Sequence, residues 1–299
     1  MKVLVTGSGG LVGSALVSQL ESDGHTVARL VRSKRGAGEA QVLWDPQAGT
    51  IDSASLEGLD AVVHLAGESI AGGRWTAARK ARILESRVKG TSLLAETLAG
   101  LRERPKVLVS ASAVGYYGDR GEEALREESA SGSGFLASVC RQWEAAAAPA
   151  AQSGIRVVHP RFAMILSTAG GALQRLLLPF RLGLGGRLGS GRQFMSWIAL
   201  DDAVGAICHA LTHDDLQGPV NTASPTPVRN REFTTTLGRV LRRPTVFPLP
   251  AFAARLAFGQ MADELLLASQ RVEPAKLLAG GYQFGFPDLE SALRHLLMT

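Results

Sequence analysis

The stretch VLVTGSGGLVGSALVSQL, residues 3–20, decides the fold. It opens as a β-branched apolar run that ends at Thr6 and closes as an apolar run of helical character, and between the two Gly7, Gly10 and Gly13 recur at every third position. Glycines so placed permit a tight turn, close approach of backbone to a pyrophosphate, and close packing of helix on sheet. The helix N-terminus adds free amides and the positive end of its dipole. Gly7, Gly10, Leu11, Val12 and Gly13 are therefore the candidate phosphate contacts. A glycine triplet alone is weak, but one that starts at residue 7, between a strand and a helix with a second strand following, reads as a dinucleotide-binding turn.

That second strand, HTVARLV (25–31), leads into Arg32, about 20 residues beyond the glycine turn, where an NAD site places a carboxylate for the ribose 2′-hydroxyl. Here the sequence is VRSKR, residues 31–35, and Arg32 is in position to read a 2′-phosphate. The expectation is NADP(H) rather than NAD(H). Lys34 and Arg35 either share that contact or are solvated surface charge.

At 299 residues, 45% hydrophobic and 20% charged, the chain can bury a full core. Short β-branched runs at 2–6, 26–31, 42–44, 61–65, 106–110 and 156–161 alternate with helical patterns, the signature of a parallel sheet built from βαβ units. Leu84, Val88, Thr91, Ala95 and Leu98 put one face on a long helix over 76–98. After about residue 165 the pattern changes to helices, glycine-rich loops and proline-bounded segments, RPTVFPLP (243–250) among them, with a last helix starting near Asp288. The predicted fold is α/β: a Rossmann-type doubly wound parallel sheet with a smaller C-terminal substrate-side α+β region.

The formal charge of +5 is spread along the chain, with no basic block and no basic stripe interleaved with aromatics, so a small anionic molecule fits better than nucleic acid. Two distant cysteines, Cys140 and Cys208, read as reduced thiols. No apolar run reaches the length of a membrane span and the N-terminus lacks a signal peptide's apolar region, so a cytoplasmic protein without a membrane partner is expected. His209 and His213 lie a helical turn apart beside Cys208 without an H-E-x-x-H pattern, and no metal is expected. Asp201 and Asp202 read as a helix N-cap. GLGGRLGSGRQF (183–194) reads as a lip over the substrate pocket, with Arg192, Gln193 and Trp197 as ligand contacts, although Trp197 fits a core position as well.

Four phrases, TGSGGLVGS (6–14), DAVVHLAGE (60–68), SASAVGYYG (110–118) and VNTASPTPVRNREF (220–233), resemble the extended short-chain dehydrogenase/reductase superfamily, in its atypical branch of NAD-dependent epimerase/dehydratase-like proteins. FLASVCRQWEAAA (135–147), LLLPFRLGLGGRLGSGRQFMSWI (176–198) and QRVEPAKLLAGGYQFGFPDLESAL (270–293) are similar to the YfcH-like branch that also holds the human short-chain member 39U. The resemblance implies an NADP(H)-binding core over 1–240, with substrate-side segments interleaved from about 165, and a family-specific extension over 241–299. It implies cofactor contacts from Leu65, Ala66, Gly67 and Glu68, from Arg82 and Arg87 on the long helix, and from Ile165 at the nicotinamide end.

The resemblance also exposes a departure. Relatives carry Tyr-x-x-x-Lys on the helix that here reads FLASVCRQWEAA, where Phe135 and Val139, or one register later Leu136 and Cys140, occupy the two positions. None of these can move a proton at neutral pH or supply a fixed cation. Ser112 matches the serine that orients the substrate oxygen, and Tyr117, Tyr116 and Glu68 are the remaining candidate proton donors. Two functions follow: an NADP-dependent oxidoreductase or epimerase-like enzyme acting on a small carbonyl or hydroxyl compound, or a non-catalytic sensor of NADP(H).

Overall fold

The structure, a computed structural model, describes residues 1–33 and 40–298; Lys34 and Arg35 lie outside the described residues. The first half runs β1 (Lys2–Thr6), α1 (Leu11–Ser22), β2 (Thr26–Val31), β3 (Gln41–Asp45), β4 (Thr50–Ile51), β5 (Ala61–His64), α2 (Ala77–Gly100), β6 (Val107–Ser110), β7 (Ser112–Ala113), β8 (Ala124–Leu125), α3 (Phe135–Ala145), α4 (Ala148–Gln152) and β9 (Arg156–Phe162). The second half adds β10 (Met164–Leu166), α5 (Gly171–Arg181), β11 (Phe194–Met195), β12 (Trp197–Ala199), α6 (Leu200–Thr212), β13 (Gly218–Thr222), β14 (Val228–Arg229), α7 (Asn230–Leu241), α8 (Ala251–Phe258), β15 (Arg271–Val272), α9 (Ala275–Ala279) and α10 (Leu289–Met298).

The main sheet has the order β13-β9-β6-β5-β1-β2-β3-β4, parallel throughout except where β4 turns back on β3, with β7 extending the sheet beside β9. The strands read as unbroken apolar runs because both faces are covered. Val3, Val5, Val63 and Val158 pack under α1 and α6, while the alternate residues Leu4, Val62, Leu108 and Val157 pack under α2 and α4. The chain winds outward from β1 to β3 on one side and from β5 to β13 on the other. The loops after β1 and β5 therefore diverge at the switch point, where ligands bind in open parallel sheets.

The C-terminal segments are woven into this frame. α10 packs on α7 in a separate core with Leu177, Phe180, Phe233 and Leu293, and β15 pairs with β8. Asp202 shows the difference from the sequence reading: it sits inside the first turn of α6, yet its carboxylate accepts from Gly285 N at 2.7 Å and Phe286 N at 2.9 Å, so it staples the C-terminal segment to the helix. The glycine-rich 183–194 loop is likewise tied down, for Leu249 N donates to Arg187 O and Gly189 N to Leu249 O, both at 2.9 Å. Among the described residues no helix is long and apolar enough to cross a membrane.

Candidate functional site

The glycine turn is a cradle that side chains would fill. A Cβ at Gly13 would lie 2.2 Å from Gly7 O, and one at Gly7, whose φ is +67°, would meet Leu65 C at 2.8 Å. α1 starts from Gly10 with no side-chain cap and no acidic residue in its first turn, so its leading amides at Leu11, Val12 and Gly13 face an open cradle. Thr6 holds the far wall, its Oγ1 accepting from the amides of both Leu65 and Ala66 at 3.1 Å. These features fit a dinucleotide pyrophosphate. Arg32 follows β2 directly and is exposed. On the outer side Gly170 touches Leu11, a Cβ there lying 3.4 Å from Leu11 Cδ1, while Ile165 is half-buried in β10 opposite Ile198.

Next to the β5 loop stands a cation that forms no ion pair among the described residues. Arg87 Nη1 donates to Glu68 O and Ile83 O, both at 3.0 Å, and its guanidinium lies 4.9 Å from the Trp143 ring centre. A Cβ at Gly67 would be 3.4 Å from that guanidinium. Burial holds the Arg87 pKa below its ordinary value, and among the described residues no carboxylate pairs with it. The Glu68 carboxylate instead faces Arg79 at 3.7 Å. Arg82, one position before the fully buried Ile83 on α2, is exposed.

Beyond the loop lies a buried polar network. Ser112 Oγ donates to Glu144 Oε1 at 2.7 Å, and Glu144 takes a two-pronged ion pair from Arg161, with Nε–Oε1 at 2.8 Å and Nη2–Oε2 at 2.9 Å. The Arg161 side chain is 2% exposed and that of Glu144 14%. Burial works against the arginine charge, but Glu144 outweighs it and raises the Arg161 pKa. Glu144 also lines a cavity of about 710 Å³ with His159, Arg156 and Lys276.

Tyr117 belongs to the same network. It is 0% exposed, its phenol donates to Asn221 Oδ1 at 2.7 Å and accepts from Arg161 Nη1 at 2.9 Å, and burial pushes its pKa up to about 12. This is the placement of a strut, whereas the sequence offers Tyr117 as a candidate proton donor. Tyr116 is half-buried with its ring 3.5 Å from the Arg161 guanidinium. On α3, Leu136, Val139 and Cys140 are all buried, and burial pushes the Cys140 thiol up to about 11. Gln193 and Trp197 are committed as well: Gln193 Nε2 donates to Leu188 O and Leu266 O, and Trp197, wholly buried, donates to Thr226 O.

Sequence reasoning missed Glu144, Arg161, Asn221 and Glu264. Glu264 caps α3 from the C-terminal segment, accepting from Phe135 N at 3.1 Å and Leu136 N at 2.7 Å. One signal was available: Glu144 stands one helical turn beyond Cys140 and two beyond Leu136, on the stripe where the absent pair was sought.

The profile of the NAD dependent epimerase/dehydratase family matches residues 3–223, and that of a domain of unknown function, DUF1731, matches residues 249–296. Epimerase family protein Mb2239 of Mycobacterium bovis is 46% identical over 291 residues, covering 97% of this chain and 96% of its own. Human epimerase family protein SDR39U1 is 38% identical over 300 residues, 99% of this chain and all of its own. A crystal structure of that human protein (isoform2) with NADPH superposes with a TM-score of 0.92 at 37% identity over 100% of both chains. The nucleoside-diphosphate sugar epimerase from Corynebacterium glutamicum superposes with a TM-score of 0.82 at 41% identity, over 99% of this chain and 58% of that one.

Proposed function

The chain belongs to the NAD dependent epimerase/dehydratase family, and from that premise we propose that it is an NADP(H)-binding oxidoreductase or epimerase-like enzyme acting on a small carbonyl or hydroxyl compound. The observation that carries the reading is the uncapped, side-chain-free cradle at Gly7–Gly13, with an arginine as the first residue after β2. Gly7, Gly10, Leu11, Val12 and Gly13 take the pyrophosphate; Arg32 takes the 2′-phosphate; Leu65, Ala66, Gly67 and Glu68 line the adenosine side. The human relative crystallised with NADPH supports the same cofactor. Arg87, a half-buried cation that forms no ion pair among the described residues, anchors the nicotinamide half, and Ile165 packs behind it. Two cysteines without a disulfide fit a reducing compartment such as the cytoplasm.

Bound nicotinamide supplies or accepts the hydride. Ser112 handles the proton at the substrate oxygen: because its own hydroxyl hydrogen is held by Glu144, its lone pairs are turned outward to accept from a substrate hydroxyl. Arg161 fixes Glu144 and, through Tyr117, the loop that carries Ser112. A second reading, a sensor that binds NADP(H) without turnover, is favoured by the commitment of the Tyr117 phenol and the apolar α3 face.

Titration of the purified protein with NADPH and NADH, followed by addition of pooled small carbonyl compounds while reduced-nicotinamide absorbance is recorded, separates the readings. The enzyme reading expects tight NADPH binding and an absorbance loss that Arg32→Asp abolishes. Tight binding with no loss across the pool favours the sensor, and absence of NADPH binding rejects both.

A further inference from the structure

The side of the molecule built by α5 and α8 exposes apolar side chains that no core uses. On α5 and the turn after it, Leu178, Leu182 and Leu184 are each more than half exposed. Val246 and Phe247 are equally open on the segment before α8, and Phe252 and Leu256, one helical turn apart on α8, are 73% and 76% exposed. The two segments adjoin, since Arg243 Nε donates to Arg181 O at 2.9 Å and Phe247 N to Gly185 O at 3.3 Å. An isolated exposed leucine is ordinary; seven such side chains along two adjoining segments form a surface that calls for a partner.

Among the described residues, the charges around this strip that lack an ion partner have one sign. Residues 145–200 and 233–262 contain no aspartate or glutamate. Asp263 answers Arg255 and Glu290 answers Arg239, but among the described residues Arg181, Arg187, Arg242 and Arg243 are exposed and form no ion pair. A second copy presenting the same strip would set arginine against arginine, which disfavours self-association through this face. Apolar tips flanked by uncompensated guanidinium groups match a layer of lipid phosphates above an acyl boundary.

We propose that the α5–α8 strip docks the protein on the surface of an anionic lipid bilayer. Leu182, Phe247, Phe252 and Leu256 enter the headgroup boundary, and the four free arginines meet lipid phosphates. This replaces the expectation of no membrane partner, which rested on the lack of a spanning segment; surface docking needs none. The proposal stands on the strip alone and is independent of the cofactor and of catalysis.

The test is co-sedimentation of the full chain with vesicles of phosphatidylcholine alone and of phosphatidylcholine with phosphatidylglycerol at about three to one. Binding is expected only to the anionic vesicles, falling sharply as salt approaches 1 M, where the screening length shrinks to about 3 Å. Each arginine at such a surface contributes roughly a factor of five in partitioning, so Arg181→Glu with Arg187→Glu should weaken binding at least about 25-fold. Phe252→Ser with Leu256→Ser should abolish it, and since both side chains are exposed the fold is unaffected, which NADPH titration and thermal melting check in the same samples. Equal binding to both vesicle types, no binding to either, or variants that bind like the parent would overturn the proposal.

Discussion

The hydroxyl of Ser112 donates to Oε1 of Glu144 at 2.7 Å, and Glu144 is one of the residues that line a cavity of about 710 Å³. Ser112 is thus hydrogen-bonded to a carboxylate that Arg161 grips from within. On the proposed enzyme reading, oxidation of an alcohol would pass the substrate proton to Ser112 Oγ as the serine proton passes to Glu144. Ser112→Ala should therefore lower turnover roughly a hundredfold or more with NADPH affinity intact. Glu144→Gln should in addition cost about 3 kcal/mol of stability, because it leaves Arg161 buried without its charge partner. Steady-state rates, NADPH titration and urea midpoints of the two variants check both statements.

Tyr117→Phe should behave in the opposite way. Removing the phenol oxygen strands Asn221 Oδ1 and takes one acceptor from Arg161, a loss of about 1–3 kcal/mol. Turnover per folded molecule should stay near the parent value, since the phenol is wholly enclosed. A urea melt beside an active-site-normalised rate makes the comparison, and a collapse of rate without loss of stability would return the tyrosine to the chemistry.

What the sequence made legible follows from the range of the physics involved. The glycine cradle, the parallel strands and the long α2 helix are local patterns: three glycines, alternating β-branched runs, and a single apolar stripe. The Ser112–Glu144–Arg161 network joins β7, α3 and β9 across 32 and 17 residues, and nothing in the spacing of those residues announces a contact made only when the sheet assembles. Asp202 looked like a cap because caps are local, yet its bonds reach more than 80 residues ahead. Glu264 caps α3 from the C-terminal segment for the same reason. Arg87 was marked by resemblance, but its want of a counter-ion is visible only once Glu68 has turned to Arg79.

Cofactor choice is open to one substitution. Arg32 is exposed directly after β2, so on the proposed reading Arg32→Asp would remove a charge-assisted contact to the 2′-phosphate and substitute a repelling carboxylate. NADPH affinity should fall by about 1–3 kcal/mol while NADH affinity holds or improves. Parallel fluorescence titrations with the two cofactors read the difference, and equal weakening would remove Arg32 from the site.

The proposed place of Arg87 at the nicotinamide half gives a test that separates the two halves of the cofactor. Arg87→Met keeps the aliphatic packing on Trp143 but removes the cation, and it should weaken NADPH by roughly tenfold or more while leaving 2′,5′-ADP, which lacks the nicotinamide half, almost unchanged. Arg87→Lys should recover part of the loss, since it restores a point charge without the planar fork. Calorimetric titration of both ligands against the three proteins is the check; equal weakening of both would assign Arg87 to loop structure alone.

Acid sensitivity should trace to His64. The imidazole is fully buried at the end of β5 with Nδ1 2.7 Å from Thr6 Oγ1, and burial lowers its pKa to about 4 from 6.5. Above pH 6.5 the ring is neutral in both folded and unfolded chains. Between about 6.5 and about 4 the unfolded chain binds a proton that the folded chain refuses, so stability falls as pH falls, by about 3 kcal/mol over the window. His159, also depressed by burial, adds to the slope in the same direction. Urea midpoints of the parent and of His64→Gln, measured from pH 7 to pH 4, should converge as the pH drops, because the variant loses the His64 share of the slope. Parallel curves would falsify the assignment and leave His159 and the Glu144–Arg161 pair as the groups that set acid stability.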